Sequence, residues 1–170
     1  MKKNLKHIII VSSLLIFSFS KAQVDFKIRN LGVNVDGHFN SYNINADFDT
    51  KGDLIAVNAS VNVKSIETGI EKRDKHILED DYFDAEKHQK ILLETIEVKK
   101  ESPDRYKLKA KLTIKGKSKT VDIPISVLRK DNKATIEAYF EINRKDYDVG
   151  GSSLVMSKTV KITVKHQHDL

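Results

Sequence analysis

Apolar residues recur at every second position through most of this chain, and that period limits its fold more than any other feature. Val24, Phe26 and Ile28 begin the pattern, and Val33 and Val35 continue it past Gly32. Ile55, Val57, Ala59, Val61 and Val63 form a long run, with Asn58, Ser60 and Asn62 between them. Side chains on a strand point alternately to its two faces, so each run reads as a strand with one face buried and the other wet. Tyr42 to Phe48, Ile91 to Val98, Tyr106 to Ile114, Val121 to Val127, Ala134 to Ile142 and Val160 to Val164 repeat the pattern.

Short polar turns separate the runs. Asp49-Thr50-Lys51-Gly52-Asp53, Lys115-Gly116-Lys117 and Asp131-Asn132 carry the residue types that reverse a chain. The period changes only once, between Glu71 and Tyr82, where Ile77, Leu78 and Tyr82 stand at helical spacing among charged residues. The expected architecture is all-β: one antiparallel barrel of eight strands with one short helix. Parallel α/β folds need crossover helices, and the sequence has no room for them. Closure removes the exposed edges an open sheet of this size would present, and eight strands enclose either a filled core or one small ligand.

The first 22 residues are of another kind. Lys2, Lys3 and Lys6 precede the apolar run Ile8 to Phe19, and Ser20-Lys21-Ala22 supplies small residues where a signal peptidase reads. This is the pattern of a secretory signal peptide cleaved near Ala22, leaving 23–170 as the barrel domain of a periplasmic or secreted protein. The run has 12 residues against the roughly 20 a spanning helix needs, so stable membrane insertion is not expected. With no cysteine in the chain, a lipid-anchored N-terminus and disulfides are both excluded. Four of the 30 basic residues and none of the 24 acidic ones lie in this segment, so its loss takes the net charge from +6 to +2. That leaves no electrostatic footprint for nucleic acid.

The densest motif is Ser65-Ile66-Glu67-Thr68-Gly69, then Arg73-Asp74-Lys75-His76-Ile77-Leu78, then Asp81-Tyr82-Phe83-Asp84. In order and spacing it resembles the signature of the YceI-like family of bacterial lipid- and polyisoprenoid-binding proteins, which reads Ser-Ile-Asp-Thr-Gly, Arg-Asp-x-His-Leu, Asp-Phe-Phe-Asp. Gly37-His38-Phe39, Leu112-Thr113-Ile114-Lys115-Gly116 and Ile142-Asn143-Arg144-Lys145-Asp146-Tyr147 are similar to further family segments. Gln89 stands where the family commonly has proline, and the opening before Phe26 is shorter than in many relatives. The resemblance implies a lipocalin-like barrel holding a long-chain lipid, with no cofactor, metal or catalytic residue, and with homodimers known among relatives.

On this reading Phe39, Ile44, Phe48, Val61, Leu112, Phe140 and Ile142 are the expected lining of an apolar cavity. An ordinary β-core would show the same residues, so the alternative is a filled barrel acting as a stress-related protein-interaction module. Arg73, Asp74 and His76 form the strongest polar cluster. They either meet a head group at the barrel mouth or anchor the helix to the wall. His166 and His168 share a strand face and could supply half a zinc site, but no third ligand is evident and a solvated terminal tail is expected there. His38 and His88 read as surface residues. Glu79, Asp80 and Asp81 read as a solvated acidic face, and no nucleophile elbow or phosphate loop is present, so an enzyme is not expected.

Overall fold

The computed structural model describes residues 23–170, so the signal-peptide segment lies outside the described residues. The alternating runs form strands β1 (Gln23–Asn30), β2 (Val33–Phe39), β3 (Tyr42–Phe48), β4 (Leu54–Asn62) and β5 (Ile66–Glu67). After helix α1 (Glu71–Ile77) come β6 (Lys90–Ser102), β7 (Arg105–Ile114), β8 (Lys117–Lys130), β9 (Lys133–Asn143) and β10 (Met156–Asp169). All pairings are antiparallel, in the order β3-β4-β6-β7-β8-β9-β10-β1-β2-β5.

The sheet has ten strands, not the expected eight. One extra strand arises at Leu31 (φ 51°) and Gly32 (φ 79°), which reverse the chain where Val33 and Val35 were expected to continue the first run. Two consecutive positive φ values are the requirement of a tight two-residue hairpin, and leucine is a poor advertisement for one. The other is β5, which pairs with β2 only through His38–Glu67 and Phe39–Ile66.

The sheet curls strongly, but its end strands β3 and β5 form no ladder with each other, so it is a half-barrel and not the closed barrel expected. β2 and β3 lie near opposite ends of the strand order, yet only Asn40 and Ser41 separate them in the chain. That junction is bonded to the β4–β5 junction: Asn40 N–H donates to the Ser65 carbonyl at 3.1 Å and Asn62 N–H to the Ser41 carbonyl at 2.8 Å. β1 is paired on both sides along its length, so the short opening of the chain leaves no seam there. The ladder thins instead between β4 and β6, which ends at Ala59–Leu93. Beyond it Thr95 Oγ1 accepts from Val57 N–H at 2.8 Å and donates to the Val57 carbonyl at 2.7 Å.

Two bulges reset the alternation. Opposite Asp47 and Phe48 the register slips, so Leu54 turns inward at 3% exposure and Ile55 turns outward at 52%. On β6 the shift between Thr95 and Glu97 ejects Ile96. An extra residue in one strand reverses every side chain beyond it, which a strict period-two reading misses.

Helix α1 ends at Ile77 rather than reaching Tyr82. Glu79, Asp80 and Asp81 follow where the negative end of the helix dipole lies, and acids there oppose its extension. The chain continues as turns, with Phe83 N–H donating to the Ile77 carbonyl at 3.1 Å and Ala85 N–H to the Leu78 carbonyl at 2.9 Å. The C-terminal residues are ordered in β10, where His166 faces Ile136 and His168 faces Ala134 on β9, so no solvated tail is found there.

Candidate functional site

The inward faces of the strands line a partly open cavity of about 220 Å³ with an almost wholly apolar wall. Every long strand contributes, because the curl turns one face of each toward the same space. On β9 the lining row runs from Ile136 to Ile142, about 20 Å at 3.3–3.4 Å per residue. Ile77, Tyr82 and Phe83, from α1 and the turns after it, close one end. Tyr106, Val127 and Ala134, each at most 1% exposed, pack the core toward the other.

Phe39, Ile44, Val61, Leu112, Phe140 and Ile142 lie on the cavity wall. Phe48 does not. The bulge beside it sends its ring to the far end of the barrel, where it lies 5.2 Å from the His168 ring and beneath the Arg129 guanidinium at 5.8 Å. Val24, Phe26 and Ile162, from the same alternating runs, also line the cavity, as does Ile66 from the 65–69 motif.

Arg73, Asp74 and His76 are not on the wall. Arg73 and Asp74 close on Thr68: Arg73 Nη2 donates to its carbonyl, and Asp74 Oδ1 accepts its N–H at 3.0 Å and its hydroxyl. His76 points outward, its Nδ1 2.8 Å from Glu79 Oε2, and that hydrogen bond raises its pKa above 6.5. The geometry is that of helix anchoring, which leaves Ile77 facing inward. His76, Glu79 and Asp81 present ligand atoms within 4.8 Å of one another, but all three are exposed and the arrangement is that of ordinary ion pairing.

Besides Asp25 and Tyr82, the lining includes three polar residues that the apolar alternation did not pick out: Arg144, Tyr147 and His166. Arg144 and Tyr147 open and close the 3-10 turn Arg144–Tyr147 after β9. Residues three apart eclipse one another in a 3-10 turn, so both side chains swing in together. Asn143 fixes the start, its side chain accepting from Lys145 N–H at 3.2 Å, and Asp148 ends the turn in the left-handed region at φ 53°. The signal in the sequence was the spacing of three that follows Ile142, masked by the charged residues around it.

Arg144 is 2% exposed and has no carboxylate partner among the described residues. Its Nε donates to the Ser157 carbonyl at 2.9 Å, Nη1 to Val149 and Gly151 at 2.7 and 2.9 Å, and Nη2 to Met156 at 3.2 Å. Burial lowers its pKa, but a guanidinium stays charged. The turn thus carries a buried positive charge held by neutral dipoles. Tyr147 is 1% exposed, and its hydroxyl has no hydrogen-bond partner among the described residues. Burial, aided by Asp146, pushes the phenol pKa up to about 12, so it remains a donor. His166 sits further along β10; burial, with His168 beside it, lowers its pKa, and its Nδ1 is likewise unpartnered.

The wall offers apolar packing surface and almost no exposed polar atom, which suits retention of an apolar molecule. The chain is similar to several known proteins. It is 28% identical over 136 residues to a UPF0312 protein of Pectobacterium atrosepticum, covering 75% of this chain and 70% of that one. A UPF0312 protein of Serratia proteamaculans is 29% identical over the same shares. Among solved structures, Burkholderia cenocepacia BcnA superposes with a TM-score of 0.82 at 21% identity, covering 87% of this chain and 96% of that one. A Campylobacter jejuni YceI protein gives 0.76 at 22% identity, with 81% and 86% covered. A polyisoprenoid-binding domain from Saccharophagus degradans, implicated in plant cell wall breakdown, gives 0.66 at 16%, with 87% and 93% covered. The model of the YceI-like domain matches residues 17–168, and the chain belongs to that family.

Proposed function

We propose that this protein is a non-catalytic carrier that holds one long apolar ligand, of the polyisoprenoid or fatty-acyl kind, inside the curled sheet. The observation that carries the reading is the cavity itself. At about 24 cal/mol per Å³, a void of 220 Å³ costs about 5 kcal/mol against a filled core. That is as large as the whole stability margin of many domains, so a wall this apolar is best explained by an occupant that offsets the cost. Each methylene transferred from water contributes about 0.8 kcal/mol, enough for a long chain to bind tightly with little polar recognition. The polyisoprenoid-binding description of the Saccharophagus domain supports the same ligand class. With the leader pattern of residues 1–22, the carrier would work outside the cytoplasm, sequestering or ferrying its ligand across an aqueous compartment.

Native mass spectrometry of the purified protein, followed by solvent extraction, tests this directly. A released isoprenoid or fatty-acyl mass is expected, absent from Phe140→Asp protein, which places a carboxylate on the wall. Protein that carries no lipid and takes up no fluorescent lipid would sink the carrier reading in favour of a module acting through a protein partner.

A further inference from the structure

Two loop tips at one corner of the sheet carry apolar side chains that packing within the chain does not use. Leu31 and Val33, at the β1–β2 hairpin, are 72% and 65% exposed, and Leu154 and Val155, in the loop before β10, are 101% and 53% exposed. Leu31 N–H donates to the Val155 carbonyl at 2.9 Å, so the two tips stand side by side. Leucine at position 31 opposes its own backbone: φ is 51°, a region that asparagine, aspartate and glycine enter at less cost. An exposed side chain offers the fold nothing against that strain. The hairpin is therefore apolar at its own expense, which points to an apolar contact outside the chain.

Ile28 and Met156, on the strands that lead to the tips, line the cavity, so whatever receives the tips lies next to the space that holds the ligand. Four side chains on two tips fall far short of the roughly 20–30 residues a side of a stable protein interface. A lipid interface takes up apolar side chains in proportion to the area they bury and needs no such surface. Arg29 Nε donates to the Gly32 carbonyl at 3.0 Å, which holds an exposed guanidinium beside the hairpin, and it has no carboxylate partner among the described residues. Lys158, two residues past Met156, is likewise exposed and unpaired by any acid among them. Cations that flank an apolar tip suit the phosphates around an inserted side chain.

We propose that Leu31 and Leu154 dock this protein on a phospholipid bilayer, where the cavity exchanges its ligand with the membrane, a step that rests on the carrier reading above. The tips enter the headgroup region, Arg29 and Lys158 meet phosphate oxygens, and the sheet itself stays in water.

The test is flotation with vesicles of equal parts phosphatidylcholine and phosphatidylglycerol. It compares wild type with Leu31→Asn/Leu154→Ser and with Leu128→Ser, whose leucine is also exposed but faces Thr135 near the opposite end of β9. Wild type and Leu128→Ser are expected to float alike, and the double variant to lose about tenfold or more of its vesicle binding. Transfer of a bound fluorescent fatty acid to the same vesicles should slow by a comparable factor, with lipid loading unchanged in native mass spectrometry. The double variant should melt at or above the wild-type temperature, because asparagine suits the backbone at position 31 and Leu154 packs against nothing. Wild type that stays off the vesicles, a double variant that floats or transfers as wild type does, or an equal loss in Leu128→Ser would each overturn the docking surface and leave the carrier intact. Wild type that self-associates in sedimentation through the tips and ignores vesicles would overturn it in favour of a second copy of this chain. Vesicle binding lost in the double variant, in protein that carries and takes up no lipid, would keep the docking surface and overturn the carrier.

Discussion

Arg73 donates twice to Thr68, from Nε to Oγ1 and from Nη2 to the carbonyl, both at 2.7 Å. With Asp74 on the N–H and hydroxyl of the same residue, every polar group of Thr68 is used in holding α1 to β5. Asp74→Ala leaves the Thr68 N–H without its acceptor and is expected to cost about 1–3 kcal/mol in urea denaturation. Lipid affinity in the folded variant should stay within about twofold, since none of the three side chains lies on the cavity wall. A selective loss of affinity at full stability would return these residues to a head-group role.

Arg144 is the most consequential polar side chain of the core. Arg144→Met strips the carbonyls of Val149, Gly151, Met156 and Ser157 of a donor at once, and the expected loss is about 3–5 kcal/mol. Limited proteolysis should then cut within residues 148–155 before any other part of the barrel. Arg144→Lys cannot span the same four acceptors and should rescue little of the stability.

Gly37 carries no side chain because Phe26 occupies the space. A Cβ there would stand 2.3 Å from Phe26 Cζ and 3.0 Å from the Glu67 carbonyl oxygen. Gly37→Ala must push the Phe26 ring, part of the cavity wall, out of place. A loss of about 1–3 kcal/mol is expected, together with reduced lipid loading by native mass spectrometry. A fully loaded, fully stable variant would show that the ring has room to yield.

Phe48 separates packing from binding. Phe48→Ala removes the ring shared by His168 and Arg129 and should cost about 2 kcal/mol in denaturation. Lipid loading of the folded protein should match wild type, in contrast to Phe140→Asp.

Burial holds the His166 pKa below 6.5, so the unfolded chain takes up a proton there before the folded one does. The stability associated with neutral His166 is complete above 6.5 and is lost as pH falls through the folded-state pKa. Urea midpoints measured from pH 7.5 to 5 should therefore fall more steeply for wild type than for His166→Leu. Parallel curves would mean that the imidazole titrates as freely in the folded state as in the unfolded chain.

The alternation alone determined that this protein is all-β and antiparallel, and which face of most strands turns inward. Phe39, Ile44, Val61, Leu112, Phe140 and Ile142 reach the wall for that reason, since side-chain direction on a strand is a local property. Only the tertiary structure decided the rest. Leu31 and Gly32 make a hairpin because β1 and β2 can pair there, against the local preference of leucine. The bulges that eject Ile55 and Ile96 and remove Phe48 from the wall depend on partners far away in the chain. Arg144 and Tyr147 stand beside Lys145 and Asp146 in the sequence with no alternation to mark them as interior, and the 3-10 turn and the packing around it bury them. Burial of a polar group is a property of everything packed around it, and one strand's sequence does not encode those neighbours.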